Sequence, residues 1–229
     1  MFNLIKFEIF KRKKIFTTLG VIFALVQLYV IYQFSITTEE DPLAYIFLLT
    51  FVSYVIYLFS SLTNFSKDIN SIDRSMSFIV PKSGFKIVSA KFIATFLLGV
   101  GLLAVGSAMG LLNIYFKSPA HIKTFTTYTQ ANPYVIAQVI LGILTLGSFF
   151  ALVFLSIIIT KTFLSKLKFK TFITMIVLAL LSKIFNLIFW DTLSLATMLN
   201  IGIAFVGTIT ITTIMLWISG WLIDNKTDF

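Results

Sequence analysis

The chain has 229 residues, of which 58% are hydrophobic and 12% are charged, and its mean hydropathy is +0.99. It carries a formal net charge of +9 and contains no cysteine. This composition excludes an ordinary soluble protein, a disulfide scaffold and a thiolate metal site. No polar stretch is long enough for a separate soluble domain, so we expect residues 1–229 to form a single membrane domain.

Six long apolar stretches account for most of the chain, and the charges and prolines mark their edges. Each stretch has about 20 residues or more, which at ~1.5 Å per helical residue crosses a hydrocarbon core of ~30 Å. The sequence therefore predicts an all-α membrane protein with six transmembrane helices. The stretches are residues 15–36, 43–65, 92–115, 134–160, 171–190 and 199–223.

The basic residues lie in alternate connections. Of the 18 lysines and arginines, 15 lie in the N-terminal segment, after the second and fourth stretches, and in the C-terminal tail. The positive-inside rule therefore predicts that both termini are cytoplasmic. The net charge is interpreted as a topology signal, with attraction to anionic lipid as a further consequence. No soluble face collects these residues, so we expect no nucleic-acid partner.

The N-terminal segment Leu4–Lys14 combines apolar bulk with a run of lysines and Arg12. It is interpreted either as flanking charge that sets topology or as an amphipathic helix at the membrane surface, leading into the first span. The apolar run that follows has about 22 residues, which is too long for the core of a typical signal peptide. We therefore expect no cleaved signal peptide.

The connection 66–91 between the second and third spans carries apolar residues at near-helical spacing, with charges between them. Pro81 is expected to end this short helix, and Ser83 is a suitable N-cap for the next one. The short helix would either lie on the bilayer or dock into a soluble partner. Its apolar residues are Ile69, Ile72, Met76 and Ile79, and its charges include Asp68, Asp73 and Arg74.

Catalytic and metal-binding chemistry has little support in the sequence. The nine acidic residues lie in connections, in tails or at span edges, and His121 is the only histidine. An ion-coupled carrier normally has Asp, Glu or His at membrane depth. The phosphate-binding pattern G-x-x-x-x-G-K-[ST] is also missing. We expect no catalytic residue, metal or cofactor, and any ATP hydrolysis must come from a separate polypeptide.

Two features lie within the predicted spans. Gly106 and Gly110 form a GxxxG pair, which we interpret as helix packing inside the subunit rather than as a subunit interface. Lys183 lies in the fifth stretch. A lysine there either extends its ammonium to the interface, which we favour, or lines a polar cavity.

The whole chain resembles the membrane subunit of an ABC-2-type ABC exporter of a Gram-positive bacterium. The segment from Asp73 to Ser83 (DRSMSFIVPKS), followed by Lys86 and Ala90-Lys91, is similar to the family's pattern of an arginine, an apolar-Pro step and a lysine that opens the third span. The resemblance implies that Leu4–Lys14 is an elbow helix and that Asp68–Val80 is a coupling helix seated on a cytoplasmic ATPase. The implied coupling residues are Asp68, Ile72, Asp73, Arg74, Met76 and Ile79.

The resemblance also implies a second membrane subunit, identical or related, and a location in the bacterial plasma membrane. Small stand-alone subunits of this kind look like exporters of bacteriocins and phenol-soluble modulins. A path with many phenylalanines and scattered hydroxyls suits an amphipathic peptide, although these phenylalanines suit contact with lipid equally well. The alternative function is a substrate-binding membrane subunit of an importer, or a passive channel-like protein. The hydroxyls include Thr208, Thr210, Thr212 and Thr213.

Overall fold

The structure, a computed structural model, describes residues 2–36, 42–71, 83–117, 127, 134–163, 173–183 and 198–226. Within these ranges the chain forms seven helices and no strand. An all-α fold is therefore confirmed. The helices are α1 (Phe2–Lys11), α2 (Lys13–Ile36), α3 (Pro42–Ser71), α4 (Gly84–Lys117), α5 (Tyr134–Phe163), α6 (Ile173–Lys183) and α7 (Met198–Lys226).

Five of these helices are long and apolar enough to cross a membrane, and the chain is a multi-pass membrane protein. The predicted fifth span, residues 171–190, is described only over α6, which is shorter than a membrane crossing requires. The five apolar segments are Lys13–Tyr32 in α2, Phe47–Ile69 in α3, Gly84–Asn113 in α4, Val135–Phe163 in α5 and Ile201–Asn225 in α7.

Several helices extend past the apolar stretches from which they are predicted. The second stretch ends at residue 65 whereas α3 continues to Ser71, and the third begins at residue 92 whereas α4 begins at Gly84. A charged side chain marks the edge of the apolar stretch, but it does not interrupt backbone hydrogen bonding. Of the charges that mark these edges, Asp68 and Lys91 therefore lie inside helices.

The chain divides into two compact units by its internal contacts. Unit one contains Met1–Leu4, Leu62–Ile93 and Tyr134–Phe229, and unit two contains Ile5–Ser61 and Ala94–Pro133. In unit one, α5 packs against α7. About 61% of the apolar segment of α5 is buried, against 17–33% for the other four segments. A helix that is apolar on all sides is expected to be buried in this way.

Close helix packing in unit two occurs at Gly106 of α4. A Cβ atom added to Gly106 would clash with the side chain of Thr50 in α3, whereas one added to Gly110 would meet no heavy atom within 4 Å. The first glycine of the GxxxG pair thus serves packing inside the subunit, as the sequence predicts. The second glycine lies open on α4.

Candidate functional site

Polar groups of unit one gather near the two helix ends that flank the connection 72–82. In the last turns of α3, the carboxylate of Asp68 accepts a 2.5 Å hydrogen bond from Nζ of Lys91 in α4. The two side chains are only 18% and 11% exposed, respectively. An ion pair shielded from water in this way is stronger than a surface pair. It therefore fixes the end of α3 against α4.

A second contact joins the same turn of α3 to α5. Nζ of Lys161, near the end of α5, donates a hydrogen bond to the carbonyl oxygen of Ser66. Just before Ser66, the ring of Phe65 stacks on the ring of Phe154, with centroids 3.8 Å apart and planes 4° from parallel. Both rings are almost fully buried. The ammonium group of Lys161 thus lies against the C-terminal part of α3, towards the helix end where a cation is favourable.

The beginning of α4 is held by the end of α7. The backbone N–H of Gly84 donates a 2.6 Å hydrogen bond to Oδ1 of Asp224. The first N–H groups of a helix have no partner within the helix, and a carboxylate also suits the positive end of the helix dipole. Asp224 therefore acts as an N-terminal cap supplied from another helix.

Two glycines allow this approach of α4 and α7. A Cβ atom on Gly84 would lie 2.6 Å from the carbonyl oxygen of Gly220, and one on Gly220 would clash with the backbone of Phe85. Only hydrogen atoms fit at these positions, so the two backbones come into direct contact. We call the six polar contact residues of unit one the anchor cluster: Ser66, Asp68, Gly84, Lys91, Lys161 and Asp224.

The predicted coupling residues are placed as follows. Asp68 lies in the last turns of α3, where it belongs to the anchor cluster rather than to the start of a separate helix. The other five lie outside the described residues: Ile72, Asp73, Arg74, Met76 and Ile79. Ser83 immediately precedes α4, which is the N-cap position that the sequence predicts. Lys183 is the last residue of α6 and is exposed.

Unit two has a buried polar network of its own at the joint between α1 and α2. Arg12, which is 3% exposed, donates hydrogen bonds to Oγ of Ser61 at 2.9 Å and to the hydroxyl of Tyr57 at 3.4 Å. The Tyr57 hydroxyl in turn donates to the carbonyl oxygen of Thr95 at 2.8 Å. The network connects the joint to α3 and α4. From the sequence, Arg12 is either a topology charge or part of an amphipathic surface helix, because a run of basic residues does not show which one turns inward.

A pair of amides joins α2 to α4 in the same unit. Nε2 of Gln27 donates to Oδ1 of Asn113 at 2.8 Å, and Nδ2 of Asn113 donates back to Oε1 of Gln27 at 3.2 Å. Asn113 is 1% exposed. Reciprocal amide bonds satisfy polar groups that would otherwise face hydrocarbon. The pair stabilises helix packing.

The threonine hydroxyls of α7 act within the helix. Each of the four donates to the carbonyl oxygen four residues earlier, at distances from 2.6 to 2.8 Å. Their donor hydrogens are therefore used locally instead of being directed at a passing substrate. These residues are Thr208, Thr210, Thr212 and Thr213.

One face of α5 carries an open groove of about 570 Å³. Gly142 and Phe149 are among its lining residues, and a Cβ atom added to Gly142 would meet nothing within 4 Å. Gln138 and Thr145 are its polar lining residues, and Thr145 donates to the carbonyl of Leu141. Among the described residues, no group of three His, Cys, Asp or Glu side chains could hold a metal ion.

No family model, curated protein or solved structure matches this chain. The anchor cluster contains the Asp68–Lys91 ion pair, a hydrogen bond from Lys161 to a backbone carbonyl, and the carboxylate of Asp224 that caps α4. Each of these contacts fixes position, and each lies beside the connection that the sequence singles out.

Proposed function

We propose that this protein is the membrane subunit of an ATP-driven ABC-2-type exporter. The observation that carries the proposal is the anchoring of both ends of the connection 72–82. Asp68 and Lys91 hold the end of α3, and Asp224 holds the start of α4. A connection that transmits force from an ATPase needs two fixed ends, whereas a loop that only links two spans does not.

The proposed partner is a cytoplasmic ATPase that receives the helix predicted over Asp68–Val80. The first four residues of this predicted helix, Asp68 to Ser71, are part of α3. Arg74 and Met76 then supply the charge and apolar contact that face the ATPase. Movement of the ATPase would be passed through the anchor cluster to α3, α4, α5 and α7.

The remaining parts of the proposal follow the distribution of basic residues and the resemblance. Both termini are cytoplasmic, the chain resides in a bacterial plasma membrane, and α1 is the elbow helix before the first span. A second membrane subunit, identical or related, completes the transporter. The proposed substrates are amphipathic peptides of antimicrobial or cytolytic type, because the described spans offer apolar surface and few free hydroxyl donors.

Purification of the tagged chain from bacterial membranes in mild detergent tests this function. We expect a soluble ATP-hydrolysing protein to co-purify in constant proportion, identified by mass spectrometry and by ATP hydrolysis in the eluate. A chain tagged in the same way but lacking residues 72–82 is the control, and its helices must still insert. Recovery of the intact chain without any ATPase, even after chemical cross-linking in the membrane, would contradict the proposal.

A further inference from the structure

The short helix α1 buries a carboxylate and exposes aromatic rings. Glu8 is 3% exposed, whereas Phe7 and Phe10 are 63% and 58% exposed. A helix against water normally buries its aromatic residues and exposes its carboxylate. The exposed rings of Phe7 and Phe10 are therefore suited to apolar surroundings.

Lysines lie beside these phenylalanines. Lys6, Lys13 and Lys14 are exposed, and Nζ of Lys6 lies 6.0 Å from the ring centroid of Phe10. Arg12 in contrast is buried and bonded to Ser61, so it does not contribute to this surface. The run of basic residues is thus divided between one internal structural cation and an external basic surface.

We propose that this surface, formed by Lys6, Phe7, Phe10, Lys13 and Lys14, binds anionic phospholipid at the membrane–water boundary. The phenylalanine rings enter the acyl region, and the lysine ammonium groups contact phosphate and other negative headgroup oxygens. Aromatic residues beside lysines are typical of helices that lie in this layer. The first apolar segment begins at Lys13, so the surface lies where the chain enters the membrane.

Charge complementarity selects the lipid class. A lysine near an anionic membrane surface favours binding by about fivefold at ordinary ionic strength. A zwitterionic lipid offers the same acyl region to Phe7 and Phe10 but no net negative charge to the lysines. The surface should therefore prefer phosphatidylglycerol over phosphatidylcholine, independently of any transport function.

The chain contains no cysteine, so an introduced cysteine can be labelled without labelling any other residue through a thiol. We would label the Phe7→Cys variant of the full chain with a fluorophore and reconstitute it in vesicles containing lipid with a quencher on the acyl chain. A Val21→Cys variant reports on correct insertion, since Val21 is 60% exposed within the first apolar segment. Quenching is measured as phosphatidylglycerol replaces phosphatidylcholine.

The matched comparison removes three lysines either from the proposed lipid-binding surface or from exposed sites elsewhere in the chain. In one background Lys6, Lys13 and Lys14 are changed to Gln, and in the other Lys67, Lys86 and Lys183, which are also exposed. Both triple variants have the same net charge. We expect the first to require at least about fivefold more phosphatidylglycerol for half-maximal quenching at position 7, and the second to match the parent.

High salt provides a second check, because the screening length falls from about 10 Å at 0.1 M to about 3 Å at 1 M. The lipid preference of the parent should then decline, and that of the first triple variant should not. Quenching at position 7 that is the same in both lipids would overturn the proposal. A label at position 7 that stays unquenched while position 21 is quenched would also overturn it, and would point to water or an acidic protein against α1.

Discussion

Asp224 near the end of α7 caps the first N–H group of α4 at Gly84, although the two residues are 140 positions apart in the chain. The contact requires the backbones to meet at Gly84 and Gly220. It places the start of α4, and with it the end of the connection 72–82, at a fixed position on α7. The proposed coupling depends on this fixed position.

Replacing either glycine of this contact by alanine should destabilise the protein. A Cβ at either position meets backbone atoms, which do not move aside like the end of a side chain. We expect Gly84→Ala and Gly220→Ala each to lower the free energy of unfolding by about 2–3 kcal/mol, the upper part of the range for overpacking. Thermal unfolding in detergent measures the change.

Gly20→Ala and Gly202→Ala are the matched controls for that prediction. Both glycines are in helices, and an added Cβ at either would meet nothing within 4 Å. Alanine should raise stability there, by up to about 1 kcal/mol, because it is the better helix former. Equal destabilisation at all four positions would show that the close approach of α4 and α7 is wrong.

Asp68→Asn should weaken the attachment of α3 to α4. The substitution leaves the ammonium of Lys91, which is 11% exposed, without its carboxylate. Loss of one partner of a shielded charged hydrogen bond costs about 1–3 kcal/mol. We expect a lower unfolding temperature, partly restored in the exchanged variant Asp68→Lys/Lys91→Asp. An unchanged unfolding temperature in Asp68→Asn would contradict the anchoring role.

Arg12→Gln should destabilise the joint between α1 and α2. Gln is shorter and has fewer donors than the guanidinium, so the bonds to Ser61 and Tyr57 would not both form. A loss of about 2 kcal/mol is expected for a buried charged hydrogen-bonding group. Lys13→Gln, at an exposed neighbouring lysine, should have almost no effect on thermal unfolding. Equal effects of the two substitutions would show that Arg12 is not buried.

A double-mutant cycle on Gln27 and Asn113 tests the amide pair of unit two. Each amide both donates to and accepts from the other, so changing either residue to Leu removes both hydrogen bonds. Each single variant should therefore lose nearly as much free energy of unfolding as the double variant. We expect a coupling energy of about 0.6 kcal/mol, and at most about 1.7, as for other hydrogen bonds between membrane helices. Unfolding in detergent measures all four proteins. Additive effects would exclude direct bonding.

The sequence predicts the helical class and several local features correctly, because these features depend on residues close together in the chain. Long apolar stretches require helices in lipid because backbone groups must be satisfied internally. The position of Ser83 before α4 and the packing of Gly106 against Thr50 also agree with expectation. These predictions depend on composition and short-range spacing, which a single sequence contains.

The anchor cluster was missed because its contacts join residues far apart in the chain. Asp68 and Lys161 were placed in connections since their charge ended an apolar stretch, yet both lie in helices and bind neighbouring helices. Nothing in the sequence around Asp224 indicates that it caps a helix 140 positions away. Arg12 was one of several adjacent basic residues, and only tertiary packing shows that it alone turns inward.

The most direct test of the central claim is the amount of ATPase that co-purifies with the Arg74→Glu/Met76→Asp variant, compared with the unchanged chain. An apolar contact of this kind contributes ~25 cal/mol per Å² buried, and an unpaired charge on the partner would add to the loss. We expect normal insertion of this variant but no co-purifying ATPase and no export. Lys67→Gln/Lys86→Gln, on exposed sites near the same connection, should retain both. An ATPase that binds and hydrolyses ATP normally with Arg74→Glu/Met76→Asp would contradict the account.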